Sequence, residues 1–214
     1  MNVRREHLDS RAAAILLLCC LFWGVQQVLV KATLPELAPI FLSCVRFVGA
    51  TLLLGLWCAW RGVRLFQRDG SLAPGLLAGG LFALEFAAMF LGLQYTTASR
   101  LTVFLYTSPF WVALVVPLLV PTERLRPVQW VGLACAFAGV AFALREGFTQ
   151  GGAGLTWQGD VLGLVGGAMW GLTTVTIRAT KLSQLTPEKT LFYQVAVSAV
   201  VLPLLSLALG ERWS

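Results

Sequence analysis

Long uncharged stretches separated by short polar breaks set the character of this chain. No charged side chain occurs from Ala12 to Val30, and six further apolar stretches follow, roughly Ile40–Trp60, Pro74–Tyr95, Leu101–Val120, Val128–Leu144, Gly159–Ile177 and Leu191–Leu209. Each approaches the ~20 residues that cross a hydrocarbon core about 30 Å thick. The breaks carry helix punctuation: Pro35 and Pro39, Arg61 to Gly70, Thr96-Thr97-Ala98-Ser99-Arg100, Pro121 to Pro127, and Thr186-Pro187. Pro74 and Pro127 stand where a first helical turn tolerates proline. The first stretch reads as a retained helix, because Phe22-Trp23-Gly24-Val25-Gln26 offers no small-x-small cleavage site and the apolar run continues past it. The pattern predicts an all-α, multi-pass transmembrane helical bundle with seven spans.

Two of the stretches repeat one another. Trp23-Gly24 is followed by Lys31-Ala32-Thr33, and Trp170-Gly171 by Arg178-Ala179-Thr180 at the same spacing. Polar residues recur three places after each Trp, Gln26-Gln27 in one copy and Thr173-Thr174 in the other; one insertion later, Pro39 stands opposite Pro187 and Arg46 opposite Gln194. Five spans precede the second copy, so it starts from the opposite side of the membrane, which is the arithmetic of an inverted-topology repeat. The expected organisation is a cytoplasmic tail (1–11), a five-span first repeat (12–144), a Gly-rich linker (145–158) and two spans of an incomplete second repeat (159–214).

Composition narrows the class. At 57% hydrophobic and 12% charged residues, with a mean hydropathy of +0.78, the chain is too apolar for a soluble domain of this length. Its net charge of +6 lies in short basic clusters between apolar runs, suited to anionic headgroups and not to nucleic acid. Arg4, Arg5, Arg11, Arg61, Arg64, Arg68, Arg124, Arg126, Arg178, Lys181 and Lys189 fall on one side, against Lys31, Arg100, Arg145 and Arg212 on the other. The N-terminus is therefore expected in the cytoplasm. The five cysteines all lie within apolar runs, with no CxxC, and His7 is the single histidine. Neither disulfide nor metal nor cofactor is expected, and a Ser/His or Cys/His nucleophile pair cannot be built.

Trp23-Gly24 with Lys31, Arg46, Gln94-Tyr95-Thr96-Thr97-Ala98 running into Leu105-Tyr106-Thr107-Ser108-Pro109, and Glu123 with Trp130-x-Gly132 follow one another along the chain. In these motifs, their order and their spacing the chain resembles the EamA-type members of the drug/metabolite transporter superfamily. The resemblance implies a ten-helix carrier of two inverted five-helix repeats in a bacterial inner membrane, moving small metabolites or drugs, with export expected, by alternating access. The partners implied are a small-molecule substrate and the lipid bilayer, with a homodimer possible. Helices eight to ten are missing from that pattern, so a truncated chain is expected, and the alternative function is a non-transporting subunit or inactive fragment of such a carrier. A seven-span receptor fits less well, having no lysine in the seventh span for a retinal Schiff base and no account of the duplication. An intramembrane enzyme would have only Glu85 as a base.

Candidate pathway residues follow from placement. Leu16, Cys20, Trp23, Gln27 and Lys31 share one helix face, as do Gly163, Gly167, Trp170, Thr174 and Arg178. Trp23, Gln27, Trp170 and Thr174 are the expected lining of a solute chamber at the repeat interface; against this, tryptophans also form interfacial belts, and Gln or Thr also bond helix to helix. Glu85, near mid-depth, has three readings: a partner for Arg46, a protonated group coupled to transport, or a structural acceptor. Arg46 could instead snorkel outward. Tyr106 lies three residues before Pro109, which is expected to bend the fourth span in mid-helix, with Pro117 further on; cavity lining and packing both fit Tyr106. The small-residue series Gly163, Gly167, Gly171, and Gly132/Ala136 or Cys135/Gly139 in the fifth span, read as close-packing faces.

Overall fold

The computed structural model describes residues 10–33, 37–67, 69–121, 123–149 and 157–211, and every regular element among them is helical. Most of the expected tail (1–9) and the linker glycines Gly151, Gly152 and Gly154 lie outside the described residues, as do the side chains of Arg11, Gln27, Lys31 and Thr149. The chain divides into two compact units, Met1–Glu36 and Leu37–Ser214. The first holds α1, Ser10–Thr33. The second holds α2 (Pro39–Arg61), α3 (Leu72–Tyr95), α4 (Ala98–Leu105), α5 (Ser108–Leu119), α6 (Pro127–Ala143), the short α7 (Glu146–Thr149), α8 (Trp157–Ala179), a 3-10 turn (Lys181–Gln184) and α9 (Pro187–Ala208).

Among the described residues six stretches are long and apolar enough to cross a membrane, with Ala98–Leu119 counted as one of them. The fifth expected span, α6, has 17 residues; at 1.5 Å per residue that is about 26 Å, short of a hydrocarbon core of about 30 Å and at the lower limit of spanning lengths. The molecule is an all-α, multi-pass bundle.

Helix ends follow local chemistry. Gly62, at φ 68°, closes α2: its left-handed backbone lets Val63 N–H reach the Cys58 carbonyl at 2.9 Å, a C-terminal motif that favours glycine. At the other end α2 has no side-chain cap of its own. Glu211, beyond α9, supplies one from afar by accepting from Ile40 N–H at 3.2 Å and Phe41 N–H at 3.0 Å. A carboxylate there satisfies orphan donors and faces the positive end of the helix dipole.

α3 is the buried centre of the second unit, and small residues decide how its neighbours approach. A Cβ on Gly75 would lie 2.6 Å from the Tyr193 ring and one on Gly79 2.6 Å from Val197, so α9 runs parallel to α3 in near backbone contact. α8 runs antiparallel on another side: Gly159 abuts Thr96, and Gly166 lies near the Glu85 carbonyl and Ala88. α2 and α9 are antiparallel, with Gly55 beside Phe192 at one end and the Glu211 cap at the other.

The fourth span departs from expectation. It is not one helix bent at Pro109 but two helices, α4 and α5, separated at Tyr106-Thr107, and Pro109 occupies the first turn of α5. There its missing N–H is no loss. Thr107 satisfies the last turn of α4 instead, donating from N–H (3.1 Å) and Oγ1 (2.7 Å) to the Phe104 carbonyl. Pro117 does lie within a helix.

Candidate functional site

The glycine stripe of α8 fits against this break. A Cβ on Gly167 would stand 2.6 Å from Thr107 Oγ1, 2.8 Å from the Phe104 carbonyl and 3.0 Å from that of Leu105. Gly163 meets Phe104, and Gly171 meets Trp111 and the Ser108 carbonyl. Close packing is thus the role of these three glycines. By contrast Gly132 and Gly139 of α6 have nothing within 4 Å, so the small-residue face of the fifth span packs against nothing among the described residues.

The neighbouring stripe on α8, one position earlier at intervals of four, lies about 100° round the helix. Trp170, Thr174 and Arg178 line an open cavity of about 660 Å³, bordered also by Ser108, Pro109, Val112, Ala113 and Val116 of α5 and by Glu123, Arg124 and Gln129 of the α5–α6 connection and α6. Its volume suits a small molecule, and apolar walls with a few convergent polar groups are the usual form of such a site. Thr174 Oγ1 donates to the Trp170 carbonyl at 3.2 Å, and the Tyr106 ring lies 6.3 Å from that of Trp170. A larger recess of about 790 Å³ lies between α2, the 63–67 loop and Phe192, with far fewer polar groups.

Three ion pairs occur among the described residues, and each joins a residue before 145 to one after 157. Arg100, at the start of α4, grips Asp160 in the first turn of α8 with two bonds, Nε to Oδ1 at 2.6 Å and Nη2 to Oδ2 at 2.5 Å; its guanidinium also covers Phe148 of α7 at 5.0 Å. At the opposite end of the helices, Lys189 Nζ reaches Asp69 Oδ2 at 2.6 Å. Ser71 donates to Asp69 Oδ1 from its hydroxyl (2.5 Å) and backbone (3.0 Å). With the Ser71 proton so used, the Tyr193 hydroxyl 2.9 Å away is left to donate to Ser71 Oγ. Bonds from Lys189 first, and from Ser71 next, hold the Asp69 carboxyl well below the usual carboxylate range. The third pair, Arg178 Nη2 to Glu123 Oε2, is longer at 3.3 Å and half-exposed, and lies in the cavity wall.

The sequence-predicted residues of the second unit fall in different places. Trp170 and Thr174 share the cavity, and Tyr106 touches Trp170 without lining it. Trp23 is on α1, in the other unit, and the side chain of Gln27 lies outside the described residues. Arg46 forms no ion pair with Glu85. Its guanidinium lies 5.9 and 5.6 Å from the rings of Phe86 and Phe90, which with Phe82 form an aromatic ladder along α3 capped by Phe47 of α2. A guanidinium on aromatic faces is partly compensated for leaving water. Glu85 is 5% exposed, and its Oε2 has no hydrogen-bond partner. Neither Arg46 nor Glu85 borders the α5–α8 cavity. The cavity residues that sequence reasoning passed over as a site are Arg178, Glu123, Arg124 and Gln129. Arg178 was visible as the basic end of the duplicated motif, but nothing in the spacing set Glu123 opposite it.

Residues 10–145 match the EamA-like transporter family. The chain is similar to an uncharacterized transporter of Archaeoglobus fulgidus, 34% identical over 169 residues, covering 78% of this chain and 57% of the relative. It is also similar to one of Synechocystis sp., 28% identical over 185 residues, covering 78% and 52%. The chain thus spans about half the length of these curated relatives. A solved crystal structure superposes with a TM-score of 0.64 at 23% identity, covering 89% of this chain and 68% of that one, a likeness of fold.

Proposed function

The chain belongs to the EamA-like transporter family, and from that premise we propose that it works as a secondary carrier, moving small organic metabolites or drugs outward by alternating access. The observation that carries the reading is the α5–α8 cavity, whose walls come from both sides of the 145–158 connection. A chamber between two halves can change the side to which it opens when those halves rock against each other. The duplication supports inverted repeats: α2 and α9 begin at the equivalent Pro39 and Pro187 and run antiparallel. Arg100–Asp160 and Lys189–Asp69 tie the halves together at opposite ends of the helices. In the same reading the N-terminus is cytoplasmic in a bacterial inner membrane, no covalent chemistry is performed, and the open small-residue face of α6 is available to a homodimer.

Thr174→Cys in a cysteine-free background tests the chamber. The cavity end beyond Thr174 carries Glu123, Arg124 and Arg178, and the excess of basic residues on that side supports a cytoplasmic position for it. A membrane-impermeant maleimide is expected to label the introduced thiol in inside-out vesicles much faster than in right-side-out ones. No labelling from either side would overturn the reading.

A further inference from the structure

Resting on the carrier reading, we propose that Arg178 is the anion-recognising residue of the α5–α8 cavity and that the transported solute is a carboxylate with an apolar body, which takes the place of Glu123 on the guanidinium. Three features lead there.

The first is charge. Two guanidinium groups, Arg124 and Arg178, line the cavity against the one carboxylate of Glu123, so an entering anion completes the local balance, whereas an amine worsens it. The second is the looseness of the resident pair. Arg100–Asp160 is bidentate at 2.5 to 2.6 Å and Lys189–Asp69 stands at 2.6 Å, both well shielded. Arg178–Glu123 is a single 3.3 Å approach with side chains 44% and 41% exposed. Such half-exposed pairs contribute little, so a competing carboxylate displaces this one readily. A planar guanidinium also presents a fork that a carboxylate fits through two parallel bonds.

The third feature is the gradient of chemistry along the cavity. Arg178 and Trp170 are eight residues apart on one stripe of α8, about 12 Å at 1.5 Å per residue. Between them the α5 wall offers Pro109, Val112, Ala113 and Val116, with Ser108 at the Trp170 end, where its carbonyl meets Gly171. A solute anchored at Arg178 thus lays its remainder along α5 toward the Trp170 ring. Sulfonates or phosphates would satisfy the charge as well; the carboxylate is favoured because the group already beside Arg178, that of Glu123, is one.

The test uses the 214-residue chain in phosphatidylcholine nanodiscs and three probes that share a ring and a tether: 3-phenylpropionate, 3-phenylpropylamine and 3-phenylpropanol. Thermal shift titrations are expected to show stabilisation by the propionate and little by the other two. Arg178→Gln is expected to weaken apparent propionate affinity on the order of tenfold or more, as loss of a charge-assisted pair does. Arg178→Lys should retain part of it, and Glu123→Gln, which removes the internal competitor, should bind at least as tightly as wild type. Equal stabilisation by all three probes, a preference for the amine, or an unchanged response in Arg178→Gln would overturn the proposal. So would abolition of the propionate shift on replacing phosphatidylcholine by phosphatidylglycerol, since the occupant would then be a lipid headgroup. If the Thr174→Cys variant is labelled as above while no probe shifts the protein, the carboxylate assignment falls and the carrier reading stands; if both fail, the carrier reading falls with it.

Discussion

Gly167 shows how much a single missing side chain decides. Its position against Thr107 Oγ1 and the carbonyls of Phe104 and Leu105 leaves no room for a methyl group, and two of those three neighbours are backbone, which cannot swing aside. Gly167→Ala is therefore expected to destabilise the protein by about 1–3 kcal/mol through overpacking, read as a lowered Tm in detergent. Gly132→Ala, where a Cβ would meet nothing within 4 Å, is the matched control and should lie within about 0.5 kcal/mol of wild type. Two glycines of the same kind in sequence thus behave differently for reasons that only their neighbours supply.

At the scale of elements, the 63–71 connection and the start of α9 act as one piece because Asp69 binds Lys189 and Ser71, and Ser71 in turn meets Tyr193. The Asp69 carboxyl is held below its ordinary range in the folded protein, so its contribution is fully present above the unfolded-state pKa of about 3.9 and is lost as pH falls from there through the folded value. Asp69→Asn leaves Lys189, only 4% exposed, without its counter-charge. The expected result is a lower Tm at neutral pH together with a shallower loss of stability between about pH 4 and the acid limit. Melting curves across pH would check both; an acid limb as steep as that of wild type would show that Asp69 is not the group being titrated.

Across the whole second unit, polar contacts join what the 145–158 connection separates. Each ion pair among the described residues crosses it, and so does the Glu211 cap on α2. Apolar packing does the same, through α3 against α8 and α9. The halves should therefore hold together without a covalent link. Co-expressed segments 1–152 and 153–214, with a tag on only one, are expected to co-purify, and Asp160→Ala should lower the yield of the untagged piece; recovery of the tagged segment alone would contradict it. By itself the sequence determined where the apolar runs lie and that they are helical, their proline and glycine punctuation, and the duplication that singled out Trp170 and Thr174. Those features depend on one-dimensional patterns: a hydrocarbon core demands about 20 apolar residues wherever they face. Facing is what only the tertiary structure decided. Lipid tails are as apolar as leucine, so hydrophobicity marks depth in the membrane and not which side of a helix meets protein. That is why the break at Tyr106-Thr107, the turning of Arg46 onto Phe86 and Phe90 instead of Glu85, and the meeting of Arg178 with Glu123 had to wait for the packed chain.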